Sequence, residues 1–537
     1  MSGLAGLGPT LRLVVRRERV ALAAWSAVLA GMAAMFTRMS VQALTTPEEA
    51  QRQSEFISGS PALRMFGPTF GTSVGGYAVA RALLTLAVLA ALACAFTVVR
   101  TTRRDEDDGR AELVGSAAVG RQARLAASLI VVAVFAGLAG ALAGLAMAAQ
   151  GVPLAGALFT GAAIGSVGLT FGGIGALAAQ LASTARGANG MAGVALGGAF
   201  LAAGAGNMAG DVRAVLVAAW PVWLSPLGWA QQVRAFEDQR AWPLALGIAA
   251  FVALAALAWV VAARRDFGLG VLPERRGARV APRWLAGPFS LVWRVEHTEA
   301  VAWLLAMLGC GLAFGSLAAG GLEMEAGAAD WYAQVSGTTD VVPAFRTAMV
   351  QMAALAAAVH AVVTVLRGRS DEVTGRTEAL HAATVTRLRW AAVHGAHAAI
   401  GAAAVLAAFG LGLALAGGGA AADRSAAVGT LVGAALAQLP AVLAVAGVGA
   451  LAAGLLPRWA PVVAWPVLGL CVLLGPTFGA GLGVPDWVRD LSPFSQAPAA
   501  PAAPVVAGPL VGLAAVALVL AVAGALAASR RDLRLPA

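Results

Sequence analysis

The sequence predicts an all-α polytopic membrane protein of about twelve transmembrane helices, built as two tandem six-helix halves. Three observations carry that prediction. Of 537 residues, 59% are hydrophobic and only 12% are charged, about half the roughly 25% charged share of soluble domains. Apolar runs of about 20 residues, the length that crosses a bilayer, recur from one end to the other. A charged sequence word occurs twice, once in each half, at a fixed separation. Such a composition excludes both a soluble globular enzyme and a disordered chain. The 66 glycines fit the same class, because small residues let helices approach closely where lipid provides no hydrophobic drive for association.

In order, the candidate spans are 20–38, 73–99, 125–149, 153–179, 190–209, 242–262, 300–319, 343–366, 390–416, 427–455, 460–479 and 505–528. Residues 125–185 carry no charge and divide at Gln150-Gly151-Val152-Pro153, a turn signal. The fifth span is Gly-rich and runs into Asp211 and Arg213, so 214–229 is a candidate re-entrant piece. With the N-terminus inside, 27 arginines fall on the inner side and 8 on the outer, while Arg81 and Arg346 lie within spans. That bias places both termini in the cytoplasm of a bacterial cell and the chain in its plasma membrane. It also accounts for the net charge of +10 without a nucleic-acid partner. The N-terminal Arg12, Arg16, Arg17 and Arg19 precede Val20–Phe36, which is too long for a signal-peptide core and is not followed by an A-x-A site.

All 37 basic residues are Arg. A Walker A loop needs a Lys on the β/γ-phosphates, and a Schiff-base enzyme needs a Lys nucleophile, so both are excluded. Cys94, Cys310 and Cys471 stand apart in apolar runs and read as small hydrophobes. His360, His394 and His397 lie in apolar spans without an accompanying carboxylate and read as core histidines. No catalytic, metal or cofactor grouping emerges.

The repeat is the most informative feature. Asp105-Glu106-Asp107-Asp108-Gly109-Arg110-Ala111-Glu112, with Arg121 nine residues on, matches Asp371-Glu372-Val373-Thr374-Gly375-Arg376-Thr377-Glu378, with Arg387 nine residues on, at a displacement of 266. Leu224-Ser225-Pro226 matches Leu491-Ser492-Pro493, Gly8-Pro9 matches Gly287-Pro288, and Trp25 matches Trp303, in the same order. The halves are therefore 1–263 and 299–537, in parallel orientation. They are joined by a cytoplasmic segment, 264–298, containing Arg264, Arg265, Arg275, Arg276, Arg279 and Arg283.

In each copy an acid precedes an Arg by four residues (Glu106 and Arg110, Glu372 and Arg376), the favourable order on a helix. A short amphipathic helix is expected to follow. A charged, duplicated helix lying in the membrane plane suits docking of a cytosolic partner; the plain alternative is a solvated loop whose arginines only set topology.

The pattern acid-x-x-Gly-Arg-x-Glu, continued to a small residue and Arg (Ala118–Arg121, Val385–Arg387), resembles the coupling region of type-2 ABC exporter permeases. The doubled layout, Leu-Ser-Pro-Leu-Gly-Trp at 224–229 and Leu-Ser-Pro-Phe at 491–494 resemble the actinobacterial exporters of polyketide antibiotics, the tetronasin type. This resemblance covers nearly the whole chain. It implies a permease that exports lipophilic or amphipathic small molecules such as antibiotics or drugs, and so confers resistance. ATP and Mg would be held by a separate ATPase, two copies per permease, docked on Asp105, Glu106, Gly109, Arg110, Glu112 and Arg121 and on Asp371, Glu372, Gly375, Arg376, Glu378 and Arg387. The second copy departs from the first, with Ala379 at the place of Leu113 and His381 one residue beyond the place of Val114, which makes the docking sites unequal. The family fold further implies amphipathic elbow helices, matched by Thr10–Arg19 and Phe289–Glu299, and a central cavity lined by the second and fifth spans of each half.

Arg81 and Arg346 lie near the outer ends of the second and eighth spans at nearly matching repeat positions. An intramembrane Arg is by default a functional candidate, here on the substrate path, with headgroups, external acids such as Glu323 or Asp340, or an anionic substrate as its partner. Snorkelling is the alternative. A proton-coupled drug transporter is the competing reading; it needs intramembrane acids, and the spans as drawn contain none. A membrane enzyme acting on lipid-linked substrates would need larger, acid-bearing external loops.

Overall fold

The computed structural model of the chain describes residues 3–44, 46–59, 61–115, 119–212, 216–272, 280–319, 333, 335–373, 375–383, 385–417, 421–476 and 485–531. Ala118, Arg213, Arg275, Arg276, Arg279, Glu323, Thr374 and the side chains of Val114 and Ala379 lie outside the described residues. The chain divides into two compact units, Met1–Gly277 and Ala278–Ala537.

The first unit holds six long helices: α1 (Leu7–Ala43), α2 (Val74–Thr101), α3 (Ala123–Ala148), α4 (Leu154–Leu181), α5 (Ala185–Met208) and α6 (Trp242–Arg264). The second holds α7 (Pro288–Ala319), α8 (Val341–Val373), α9 (Arg387–Ala416), α10 (Ala421–Leu436), α11 (Leu439–Leu455), α12 (Ala460–Leu474) and α13 (Ala507–Arg530). A step at Ala437-Gln438, with Pro440 behind it, separates α10 from α11, which together form one span. Among the described residues eleven helices are long and apolar enough to cross a membrane. The chain is an all-α, multi-pass membrane protein.

Two expectations about individual elements change. Of the stretch 460–479, read as a full span, 477–479 lie outside the described residues, and the described part holds the 15-residue α12, about 22 Å long at 1.5 Å per residue, short of the roughly 30 Å hydrocarbon core. Pro466 inside it lacks an N–H for the ladder, and the helix stops at Gly475. The two elbow segments are not separate helices. Thr10–Arg19 and Phe289–Glu299 run without a break into α1 and α7, because no glycine or proline interrupts the helical run between either charged face and its span.

In the first unit α2 and α4 form the centre, where Leu86, Cys94 and Val98 share a core with Ile164, Val167 and Phe171. Glycine sets how near α3 and α4 come: a Cβ on Gly140 would lie 2.4 Å from the Gly161 carbonyl oxygen, and one on Gly161 would lie 2.2 Å from that of Gly140. Such backbone contact is the usual way spans associate in lipid. At the periphery α6 leaves Val252 and Leu257 exposed, as α13 leaves Leu518 and Val519, an apolar surface that a bilayer covers.

The Leu-Ser-Pro words have one structural job in both units. Ser225 donates to the Ala199 carbonyl of α5 at 2.6 Å and caps the short helix Pro226–Gln231 by accepting from Gly228. Ser492 donates to the Cys471 carbonyl of α12 at 2.8 Å. Each serine thus pins the segment after the fifth helix back onto that helix. In the first unit that segment comprises a two-residue antiparallel pairing (Asp211–Val212 with Leu216–Val217), a 3-10 turn at Trp220–Leu224 and the short helix. Val222, Leu227 and Ala230 are buried.

Candidate functional site

The repeated acidic words sit at the charged ends of α2 and α8, and both are built around one glutamate. In the first unit Arg103–Asp107 forms a helical turn directly after α2. Gly109 then takes φ +71° and restarts the chain as the helix Arg110–Gly115. Gly375 takes φ +73° at the matching place. Left-handed backbone costs an ordinary L-residue about 1–2 kcal/mol, so the shared glycine is required by the turn.

Glu106, with only 3% of its side chain exposed, accepts from three guanidinium groups. Arg265, just past the end of α6, grips it with two bonds of 2.9 and 2.6 Å. Arg103 adds a bond of 3.1 Å and Arg124 of α3 one of 3.2 Å. Arg265 also donates to Gln180 of α4 at 2.7 Å, and its carbonyl accepts from Arg121. Arg103, fully buried, reaches the carbonyls of Gly268, Ser183 and Leu269. The turn, the end of α6 and the α4–α5 junction are thereby tied to a single carboxylate.

The second unit repeats this at the same displacement. Glu372 is gripped by Arg531, just past α13, through both guanidinium nitrogens, one at 2.8 Å. The Arg531 carbonyl accepts from Arg387, as that of Arg265 does from Arg121. Arg369 donates to the Pro457 carbonyl at the α11–α12 junction, the counterpart of Arg103 on Ser183. A second pair also recurs: Glu18 of α1 accepts from Arg100 of α2, and Glu296 and Glu299 of α7 pair with Arg367 of α8.

The residues expected to dock a partner therefore divide. Glu106, Glu372, Arg121 and Arg387 hold the units together internally. Asp105 accepts from Arg17 of α1 at 2.7 and 2.8 Å, while Asp371 lies 3.5 Å from Arg376. Arg110 and Arg376 have side chains 58% and 68% exposed, and Glu112, Leu113 and Glu378 are exposed beside them. Sequence reasoning missed Arg265 and Arg531, placing the first among linker charges and the second in a tail. The signal was present, since both stand 159 residues beyond their glutamates.

Arg81 and Arg346 do not behave as a pair. Arg81 is exposed, its guanidinium 5.6 Å from the Tyr77 ring centre. Arg346 turns inward, donating at 3.3 Å to the Gly417 carbonyl after α9, and its Nε has no partner among the described residues. The true counterpart of Arg81 by displacement is Thr347, which bonds to the backbone of Ala499 and Ala502. Of the histidines, His394 and His397 donate through Nδ1 to the carbonyls four residues back, Trp390 and Val393. His360 packs against Trp303 with ring centres 5.6 Å apart.

Each unit contains a cavity. The first, about 560 Å³, lies among α4, α5 and α6 beside Leu224, Pro226 and Trp229. The second, about 720 Å³, lies among α8, α9, α11 and α13, with the Glu372–Arg531 pair in its lining.

Residues 285–528 match the family described as "Multidrug efflux system permease Rv1217c, C-terminal domain". The multidrug efflux system permease protein Rv1217c of Mycobacterium tuberculosis (strain ATCC 25618 / H37Rv) is 34% identical over 539 aligned positions, covering 99% of this chain and 96% of that protein.

Proposed function

The chain belongs to the family of multidrug efflux system permeases, and we propose that it is the transmembrane subunit of an ATP-driven ABC exporter for lipophilic or amphipathic small molecules. ATP hydrolysis falls to a separate subunit, two copies of which dock on the exposed Arg110/Glu112 and Arg376/Glu378 faces. Both termini and both docking loops lie in the cytoplasm, and the polyketide antibiotics of the tetronasin-type exporters are one substrate class in reach.

The carrying observation is the duplicated clamp. A docking loop transmits force only if it is fastened to the spans, and each loop is fastened by one glutamate to the end of the sixth helix of its unit. Pressure on Arg110–Gly115 then moves α2 and α6 together, and pressure on Glu378–Ala382 moves α8 and α13. The complete absence of Lys supports placing the Walker machinery on another polypeptide. A proton-coupled mechanism has less to work with, since the buried acids Glu18, Glu106 and Glu296 each face an arginine.

The test is co-expression with the ATPase of the adjacent reading frame. The chain alone should hydrolyse no ATP and should co-purify with two ATPase copies; Glu112→Ala and Glu378→Ala should weaken that association by about 2–5 kcal/mol combined while leaving membrane insertion intact. The less polar second copy makes Glu112→Ala the more damaging. Vanadate-sensitive hydrolysis by the isolated chain, or full association of the double variant, defeats the proposal.

A further inference from the structure

The second-unit cavity has a built chemistry. We propose that it holds an acidic phospholipid, with the phosphate at the arginine rim and an acyl chain along α9. The rim carries Arg369, Arg387 and Arg531 against the single carboxylate Glu372. The Arg369 and Arg387 bonds go to neutral carbonyls, so the rim keeps an excess of positive charge. Above it the walls are almost wholly Ala, Gly, Leu and Val. A basic pocket between spans at the headgroup level is the arrangement that recognises anionic lipid, and the volume of about 720 Å³ lies within the roughly 300–1,000 Å³ of small-molecule sites.

Comparison with the first unit shows how the space arises. There Leu125, Leu129 and Val132, on one face of α3, are core residues. At the same displacement α9 carries Ala391, Gly395 and Ala398, all three lining the cavity. A Cβ placed on Gly395 meets nothing within 4 Å. Three larger aliphatic side chains are thus replaced by smaller ones along one helical stripe; the space beside Gly395 stays open, while Ala398 is packed into the second unit's core.

An independent observation points to a polar ligand at the rim. Trp390, another wall residue, is 8% exposed, and its indole N–H has no acceptor among the described residues. The Arg531 Nε is likewise buried without a partner. Native proteins rarely leave such donors unmet, and phosphate oxygens accept from both kinds. In the first unit the position of Trp390 is Arg124, whose guanidinium is already committed to Glu106, so that unit offers no equivalent site.

The experiment uses the purified full chain in detergent and native mass spectrometry with three probes: phosphatidylglycerol, phosphatidylcholine of the same chains, and glycerol phosphate without chains. The expected result is one retained phosphatidylglycerol, at least tenfold weaker phosphatidylcholine, and no glycerol phosphate. Gly395→Leu, which installs the first unit's residue, should lower phosphatidylglycerol retention at least tenfold. Gly395→Ala, whose added methyl meets no neighbour within 4 Å, should give an intermediate loss and serves if the first variant fails to fold. Arg369→Gln should erase the preference between the two lipids. Equal retention of both lipids by the wild type, or unchanged retention in whichever filled variant folds, overturns the proposal; binding of glycerol phosphate alone overturns the acyl-chain part. The readout is binding, so it stands or falls apart from any transport activity.

Discussion

The two acidic loops share a plan and differ in how firmly they are held. Around Glu106 the first unit gathers Arg103, Arg124 and Arg265. It adds Asp105 on Arg17, and Asp107 accepting at 2.6 Å from the Ala185 N–H. That last bond puts an acid at the positive end of α5, a favourable place for it. The second unit keeps Glu372 on Arg531 and replaces the extra supports: Val295 stands for Arg17, Val373 for Asp107 and Trp390 for Arg124. Its glutamate is 16% exposed against 3% for the first. Duplication preserved the glutamate–arginine grip on the sixth helix, with the Arg121/Arg387 and Arg103/Arg369 bonds to backbone carbonyls beside it, and let the remaining supports diverge. The contacts common to both copies tie each loop to its spans, and the additional ones hold the first loop more firmly.

The largest expected effect comes from removing the central acids. Glu106→Ala leaves three guanidinium groups crowded in a buried site, a loss on the order of 3–5 kcal/mol. Glu372→Ala frees one partly exposed arginine and should cost about 1.5–3 kcal/mol. Thermal unfolding of the purified variants measures the gap. Equal destabilisation would mean that the extra arginines contribute nothing, and the contrast between the loops would then be one of appearance only.

A smaller effect sharpens what the loops share. Gly109→Ala and Gly375→Ala both force a Cβ into left-handed backbone, at about 1–2 kcal/mol each. Neither added methyl meets a close neighbour, the nearest atom being Glu378 Oε1 at 3.5 Å from that of Gly375. The penalty should therefore be the same in both copies and should come from the backbone alone. Gly→Asn, which tolerates this region better, should recover part of it in each. Rescue in one copy only would show that the turns are not equivalent.

How much of this was legible in the sequence follows the range of each signal. Spans, their order and the duplication are written in local hydropathy and repeated words, and the helices appear where those words place them. The failures are of two kinds. Pro466 and the glycine at 475 sit inside an apolar run, so composition alone extends the span beyond Leu474, where the α12 helix ends. The clamp was invisible for a different reason: Glu106 and Arg265 are brought together only by the packing of four helices, and nothing in the intervening residues announces it. Single charged residues at the repeat displacement carry the signal that the words lack: Arg265 falls on Arg531, and Arg100 falls one residue from Arg367. Docking by Glu112 and Glu378 remains the part that rests on the family resemblance and on exposure.

The smallest expected effect concerns Arg81 and Arg346, where one residue of offset decides the outcome. A helix turns about 100° per residue, so two arginines displaced by 265 rather than 266 positions face different surroundings even if their units are alike. Arg346 faces the end of α9, whose last carbonyls carry partial negative charge. Arg346→Gln should cost about 0.3–1 kcal/mol by that interaction. Arg81 faces outward over Tyr77, where its charge is free to reach headgroups or solutes, and Arg81→Gln should leave unfolding unchanged. Export of one anionic and one neutral compound then separates the roles we assign. Selective loss of the anionic compound in Arg81→Gln alone places that side chain on the substrate path and leaves Arg346 a structural contact. Equal loss of both compounds in both variants would return the two arginines to a single structural role, and no loss in Arg81→Gln would leave it snorkelling at the membrane surface.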